Sequence, residues 1–144
     1  RVLRPMGRFQ IIEMPGMLRI DPRSFARYDA LADAVSSIDP MGAAQLYVNV
    51  KPRVEEAYAE LGMGTPFDTT FERAVVMLLR APVLEGDVPL APKGGVLAFE
   101  DQRIEELPAA QKQLTRMGPR NARMIQQRVR EIASALSIPA NRLP

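Results

Sequence analysis

The sequence predicts a mainly α-helical fold of the α+β class, with four or five packed helices and a small antiparallel β-hairpin or three-stranded sheet. Helix-start signals containing proline recur ahead of apolar stripes with helical spacing, and one N-terminal segment has a strand, turn, strand pattern. With 144 residues, of which 47% are hydrophobic, the chain can bury one core. We therefore expect residues 1–144 to form a single globular domain with its core within about residues 9–136. Because the sequence starts at Arg1 without a methionine, we also expect it to be a fragment of a longer chain.

The N-terminal segment predicts a β-hairpin. Residues 9–13 are rich in β-branched side chains, Met14-Pro15-Gly16 has the composition of a turn, and residues 17–20 return to the strand pattern. A further apolar run at 96–99 predicts a short third strand that would join this hairpin, since an isolated hairpin is only marginally stable.

Three start signals predict the next three helices. An Asp-Pro pair at 21–22 opens a helix to about residue 37, a second pair at 39–40 opens one that ends at 61–62, and Thr-Pro at 65–66 opens one that stops before Pro82. The middle helix contains Pro52, which lacks the N–H for its ladder bond and clashes with the carbonyl four residues back. We therefore expect a kink or a break near Val48.

The C-terminal part predicts a helical hairpin over residues 109–136. Gly118 suits the left-handed conformation that ends a helix, and Pro119 suits the first turn of the next one. Apolar residues recur at spacings of three and four on both sides of this hinge, so each helix carries a stripe that must be buried. Ahead of the hairpin, residues 82–95 predict an extended surface connection, the best candidate for a mobile segment, and residues 102–107 a single helical turn.

The apolar stripes also predict which side chains form the core. They are Phe25, Tyr28, Leu31, Tyr47, Val54, Tyr58, Leu61, Phe71, Val75, Leu78, Leu114, Ile125, Val129 and Ile132.

The composition removes several classes of chemistry. The chain has no cysteine and no histidine, which excludes disulfides, thiolate metal sites and most histidine-dependent hydrolases. Adjacent carboxylates at 55–56, 100–101 and 105–106 would point about 100° apart on a helix, so we interpret them as solvated surface. Gly94-Gly95 lacks the spacing of a phosphate-binding loop. We predict no catalytic, cofactor-binding or metal-binding residue, although Asp, Glu, Lys, Tyr and Ser leave an enzyme open.

Charge is distributed unevenly along the chain. Residues 1–27 carry six arginines against two acids, residues 28–107 carry six basic against fourteen acidic groups, and residues 108–144 carry seven basic groups against one acid. Two interpretations follow: the basic ends fold against the acidic middle, or they bind an anionic partner. We favour the first.

Four arginines around the hinge form a possible anion-binding or partner-binding face: Arg116, Arg120, Arg123 and Arg130. Residues 114–122 resemble the helix-hairpin-helix motif of DNA repair proteins, whose two glycines and alanine let backbone amides approach a DNA phosphate. Gly118 and Ala122 match the second glycine and the alanine, whereas Arg116 replaces the first glycine. The resemblance implies that the element at 109–136 could bind nucleic acid.

A second resemblance covers residues from about 9 to 136. It rests on Ile20-Asp21-Pro22, Phe25, Tyr28-Asp29, Tyr58, Glu60-Leu61-Gly62, Phe99, Asp101, Gln111-Lys112, Leu114, Arg116-Met117-Gly118-Pro119 and Asn121-Ala122. In this order the residues resemble an uncharacterised bacterial domain-of-unknown-function family of the DUF3014 type. Members typically carry an N-terminal membrane anchor and a proline-rich linker, which implies a domain on the periplasmic side of the inner membrane. The family supplies no activity and no catalytic residues.

Together these observations predict a noncatalytic module for protein binding or scaffolding in the bacterial cell envelope, with an unknown protein partner and no cofactor. No apolar run approaches the about 20 residues that span a bilayer, so we expect no membrane insertion by this domain. Nucleic-acid binding through residues 109–136 is the alternative.

Overall fold

The described residues form six α-helices and one four-stranded antiparallel sheet, which confirms the mainly helical α+β prediction. The computed structural model describes residue 5 and residues 7–144. The strands are β1 (Ile11–Met14), β2 (Met17–Ile20), β3 (Pro89–Lys93) and β4 (Val96–Phe99). The helices are α1 (Asp29–Ser36), α2 (Pro40–Glu60), α3 (Phe67–Leu79), α4 (Gln102–Glu105), α5 (Ala109–Arg116) and α6 (Pro119–Ala135).

The sheet joins two hairpins in the order β1-β2-β3-β4. The predicted N-terminal hairpin is present, with Met14 paired with Met17 across the turn. Leu90 links the two hairpins because it pairs with Leu18 on β2 and with Phe99 on β4. Its side chain lies in a buried cluster at the sheet, formed by Ile20, Val88, Leu90 and Phe99.

The strand that the sequence did not predict, β3, lies within the segment predicted to be an extended connection. It contains Pro89 and Pro92, and because proline is rare inside strands, the segment has the composition of a loop. Gly94 and Gly95 form the turn between β3 and β4, with φ of +58° and +84°, as two-residue hairpin turns require. The predicted connection at 82–95 is therefore wrong for its second half.

The helix predicted over residues 21–37 is divided in two. A 3₁₀ segment over Pro22–Tyr28 precedes α1, and the Asp21 carboxylate caps it by accepting from the Arg23 amide at 2.8 Å. Ser24 fastens this segment to the chain before β1, since its hydroxyl accepts from the Gln10 amide at 2.6 Å and donates to the Gln10 carbonyl at 2.8 Å. The 3₁₀ segment is thus held against the sheet.

Helix α2 continues through Pro52, so of the predicted kink or break near Val48 the break does not occur. Only one ladder bond is lost at a proline, and residues on both sides of this one contact α3. The prediction of Leu61 in the core is also wrong, because its side chain is 73% exposed at the end of the helix.

Helix α3 begins differently from the predicted Thr-Pro start. Thr65 donates its hydroxyl to the Met63 carbonyl, whereas the carboxylate of Glu55 on α2 accepts from the amides of Phe67 and Asp68 at 2.9 and 3.2 Å. Glu55 is therefore a capping residue supplied by the neighbouring helix, rather than the solvated carboxylate that the sequence predicted.

Glu55→Ala should destabilise the fold by about 1 kcal/mol, because two amides at the start of α3 lose their acceptor. Glu56→Ala provides the matched control, since Glu56 is exposed and its removal should change stability by less than about 0.5 kcal/mol. Urea unfolding of the two variants measures the difference. Equal stabilities would contradict the capping role of Glu55.

The helical core lies where α6 packs between the other helices. Ala32, Ala81, Leu114, Ala122 and Ile125 form one buried cluster, and Val75, Leu79 and Ala133 form another. Of the predicted core residues, Val75, Leu114 and Ile125 are buried, and all the others except Leu61 are half-buried. The predicted turn at 102–107 is present as α4, and α5 and α6 form the predicted helical hairpin.

Candidate functional site

The hinge of the α5–α6 hairpin is packed against the 3₁₀ segment. Gly118 has φ of +87° and ψ of 162°, a conformation that is essentially confined to glycine. A Cβ added here would lie 2.4 Å from the Cγ of Phe25, far inside van der Waals contact. The backbone at the hinge is thus covered by the Phe25 ring.

Asn121, two residues after Pro119, ties the hairpin to the N-terminal half of the domain. Its side chain is 1% exposed, and Nδ2 lies 3.0 Å from the Phe25 carbonyl, 2.9 Å from Asp29 Oδ1 and 3.1 Å from the Met117 carbonyl. Its Oδ1 accepts from Arg120 at 3.0 Å. One amide therefore joins the 3₁₀ segment, α1, α5 and α6.

Three further buried polar side chains of the hairpin donate to carbonyls in the last turn of α3 and in the residues just after it. Gln111 donates to the Met77 carbonyl at 2.6 Å, Gln126 to that of Ala81 at 2.9 Å and Thr115 to that of Pro82 at 3.1 Å. Sequence reasoning missed all three, because polar residues beside an apolar stripe ordinarily face water. Their contacts show that much of this motif holds the fold together.

Three of the four predicted face residues lie on the outer side of α6. Arg120 approaches Asp29 and Asp33 at 3.5 and 3.3 Å, Arg123 pairs with Glu85, and Arg130 donates to the Pro144 main-chain carbonyl at 3.3 Å. The side chains of Arg120 and Arg123 are each 60% exposed, so both remain reachable by a partner.

Arg116, the fourth face residue, is directed toward the sheet instead. Its guanidinium lies 5.0 Å from the Phe99 ring centroid and donates to the Leu97 carbonyl at 3.3 Å. Glu105, 3.8 Å away, also accepts from Lys112 at 2.8 Å and from the Phe99 amide at 3.0 Å, and these bonds lower the pKa of its carboxyl. The structure therefore does not gather Arg116 with the arginines on α6.

These pairs explain the uneven charge of the sequence. Basic residues of the two ends contact acidic residues of the middle, as in the pairs Arg19–Asp87, Arg123–Glu85 and Arg142–Glu72. Folding of the ends against the middle, the favoured interpretation, is therefore observed.

A polar cluster that the sequence did not predict lies between α2 and α3. The Asp68 carboxylate accepts from the Tyr47 hydroxyl and from the Lys51 ammonium, and the cluster lines a cleft of about 290 Å³. The YxxxK spacing of Tyr47 and Lys51, four residues apart on one helix face, is the signal that could have found it.

The charge states of this cluster limit its chemistry. Burial and the bond to Asp68 raise the pKa of Tyr47, the bond to Asp68 raises the pKa of Lys51, and both partners lower the pKa of Asp68. At neutral pH the tyrosine is protonated, the lysine charged and the aspartate ionised, so none of the three has the pKa of an efficient general base. The cluster is better suited to joining α2 to α3.

Within residue 5 and residues 7–144, no group of three or more carboxylates is placed to hold a metal ion. Nor does that part of the chain contain a helix long and apolar enough to cross a membrane.

Apolar side chains are exposed along one side of α2. Leu46, Val50, Ala57 and Leu61 are separated by four, seven and four residues, which places them on one side of the helix, and we call them the α2 apolar stripe. Leu46 is 63% and Val50 39% exposed, and Met63 lies exposed just beyond the helix. All four side chains are exposed, so the described part of the domain leaves much of this stripe open to solvent.

Comparison with known proteins gives one match, which is to a family model. The chain matches no curated protein and no solved structure. A family model described as "Protein of unknown function (DUF3014)" matches residues 1–133, which include the hinge, Asn121 and the α2 apolar stripe. The chain therefore belongs to the DUF3014 family of proteins of unknown function.

Proposed function

We propose that this domain is a noncatalytic protein-binding or scaffolding module of the bacterial cell envelope, and that it binds its partner through the α2 apolar stripe. The exposure of this stripe carries the proposal. Large apolar side chains that are aligned and exposed mark a surface whose burial against a partner lowers the free energy.

The shape of the stripe indicates what kind of surface it fits. From Leu46 to Leu61 it extends about 22 Å along the helix axis. It is narrow and convex, since only one side of the helix contributes. A helix of a partner protein packed alongside α2 would cover it, as ridges of one helix fill grooves of another.

Two further arguments support a noncatalytic role in the envelope. The cluster of Tyr47, Lys51 and Asp68 has charge states unsuited to acid-base catalysis at neutral pH. The location rests on the family resemblance, which implies a domain held outside the cytoplasm by an anchor elsewhere in the protein.

Nucleic-acid binding by the hairpin is the second candidate, and the exposure of Arg120 and Arg123 favours it. The Phe25 ring at the hinge weighs against it, because it lies against the backbone that a DNA phosphate would approach in a helix-hairpin-helix motif. DNA binding through this face would weaken steeply as salt is added, and again when Arg120, Arg123 and Arg130 are replaced by glutamate.

In-cell photo-cross-linking tests which surface is used. A photoreactive amino acid at Leu46 or Leu61 should give a discrete protein adduct in the native cells, and Val50→Arg should abolish it, since a charge would be buried at the contact. Gln127, exposed on the outer face of α6, is the matched control position and should give no adduct. Absence of adducts from α2, or adducts to nucleic acid from Gln127, would overturn the proposal.

A further inference from the structure

The spacing of the α2 apolar stripe is symmetric about the middle of the helix. Leu46 and Leu61 lie at equal distances on either side of the peptide bond between residues 53 and 54, and so do Val50 and Ala57. In a two-fold symmetric dimer, whenever residue i contacts residue j of the other copy, j also contacts i. A second α2 packed antiparallel about this midpoint would therefore place Leu46 against Leu61 and Val50 against Ala57. The two most exposed members, Leu46 at 63% and Leu61 at 73%, would cover each other.

The charges beside the stripe favour the same antiparallel arrangement. Two of the five charged residues of α2 contact α3, which leaves Arg53, Glu56 and Glu60 exposed. In the antiparallel pair, each Glu56 lies about 3 Å along the helix axis from Arg53 of the other copy, whereas the two Glu60 residues are about 20 Å apart along it. The two Arg53 residues lie close to the two-fold axis, and each has a Glu56 of the other copy beside it. A parallel pair would instead set every charge beside its own counterpart.

The size of the stripe sets the strength of this contact. Only four side chains of each copy form its centre, and the stripe is one helix side wide. Such an interface lies at or below the about 1,200 Å² of total buried surface at the lower end of stable, specific interfaces. We therefore expect a transient dimer with a dissociation constant on the order of 100 µM, rather than an obligate one.

We infer that the α2 apolar stripe binds the same stripe of a second copy of this chain in an antiparallel, two-fold symmetric dimer. This inference rests on the proposed function, because it names the partner of the surface proposed there. In the photo-cross-linking experiment, the adduct from Leu46 should have the mass of two chains. An adduct with a different protein in place of the second copy would overturn the inference and leave the proposed function standing.

Disulfide pairing tests the register of the two helices. The chain has no cysteine, so each introduced thiol reports on one position. Val50→Cys mixed with tagged Ala57→Cys should give mainly the mixed disulfide under mild oxidation, since the two positions face each other. Two Val50→Cys chains should pair poorly, because their positions are about 10 Å apart along the helix axis, beyond the reach of a disulfide. Gln127→Cys, on the outer face of α6, is the matched control and should pair with neither. A mixed disulfide no more abundant than Val50→Cys paired with itself would overturn the inference.

A charge exchange tests the symmetry without thiols. In sedimentation velocity over about 10–500 µM, the parent should show a dimer that increases with concentration, and Val50→Arg should remain a monomer. Arg53→Glu should weaken the dimer about tenfold, and adding Glu56→Arg to it should restore the parent's affinity, since the cross-copy pairs are then reversed. Urea unfolding verifies that these exposed changes leave the fold intact. A parent that stays monomeric over this range, or a double variant as weak as Arg53→Glu, would overturn the inference.

Discussion

Replacing Gly118 with alanine should lower the free energy of unfolding by about 3 kcal/mol or more. Two costs combine at this position. The backbone has φ of +87°, which strains any residue with a Cβ, and the new methyl group would lie 2.4 Å from the Phe25 ring. The ring cannot retreat freely, because it packs against the buried cluster at the sheet. Urea unfolding followed by circular dichroism measures the loss.

Gly62→Ala separates the two costs. Gly62 also has a positive φ, +68°, but nothing lies within 4 Å of its would-be Cβ, so only backbone strain of about 1 kcal/mol is expected. Combining Gly118→Ala with Phe25→Ala should cost less than the sum of the two single changes, because the truncated ring leaves room for the methyl group. A Gly118→Ala variant no less stable than Gly62→Ala would contradict the close approach.

The hinge shows what the sequence could and could not predict. Local rules place a glycine and a proline between two helices, and those rules need only the residues themselves. They could not predict that Phe25, a residue of the 3₁₀ segment that is distant in sequence, packs directly against this glycine. Tertiary proximity, rather than local preference, makes alanine unacceptable there.

The errors in the fold have the same origin. Prolines at 89 and 92 give β3 the composition of a loop, yet Leu90 between them is buried and pairs with strands on both sides. In α2, packing against α3 carries the helix through Pro52. In each case a tertiary contact outweighed a local preference that the sequence states correctly.

In the candidate site, too, the sequence predicted the features that depend on local spacing and missed those that depend on tertiary contacts. The sequence identified the exposed arginines on α6, because outward positions follow from helical spacing alone. It missed the acidic partners of Arg120 and Arg123, which lie on other elements. It also missed Asp68 as the joint acceptor of Tyr47 and Lys51, since the pairing depends on how α2 and α3 meet. The sequence did not predict the α2 apolar stripe, and one of its residues, Leu61, was expected to lie in the core.

Asn121→Asp should destabilise the fold by about 3 kcal/mol at neutral pH, although the two side chains have nearly the same shape. The change replaces a donor of hydrogen bonds by an acceptor within 3.0 Å of the Phe25 carbonyl and 2.9 Å of the Asp29 carboxylate. Arg120, which already donates to Oδ1 of residue 121, can offset only part of this repulsion because it also pairs with Asp29 and Asp33.

The loss should depend on pH in a defined direction. Burial and the neighbouring oxygens raise the folded-state pKa of the introduced carboxyl above its unfolded value of about 3.9. Between these two pKa values the folded state binds more protons than the unfolded state, so the stability of the variant, relative to the parent, increases as pH falls. Gln127→Glu, an amide-to-carboxylate change on the exposed face of the same helix, should show neither the loss nor this pH dependence. If the stability difference between Asn121→Asp and the parent stayed constant from pH 7 to about pH 4, the buried amide could not be the donor that joins the hairpin to α1.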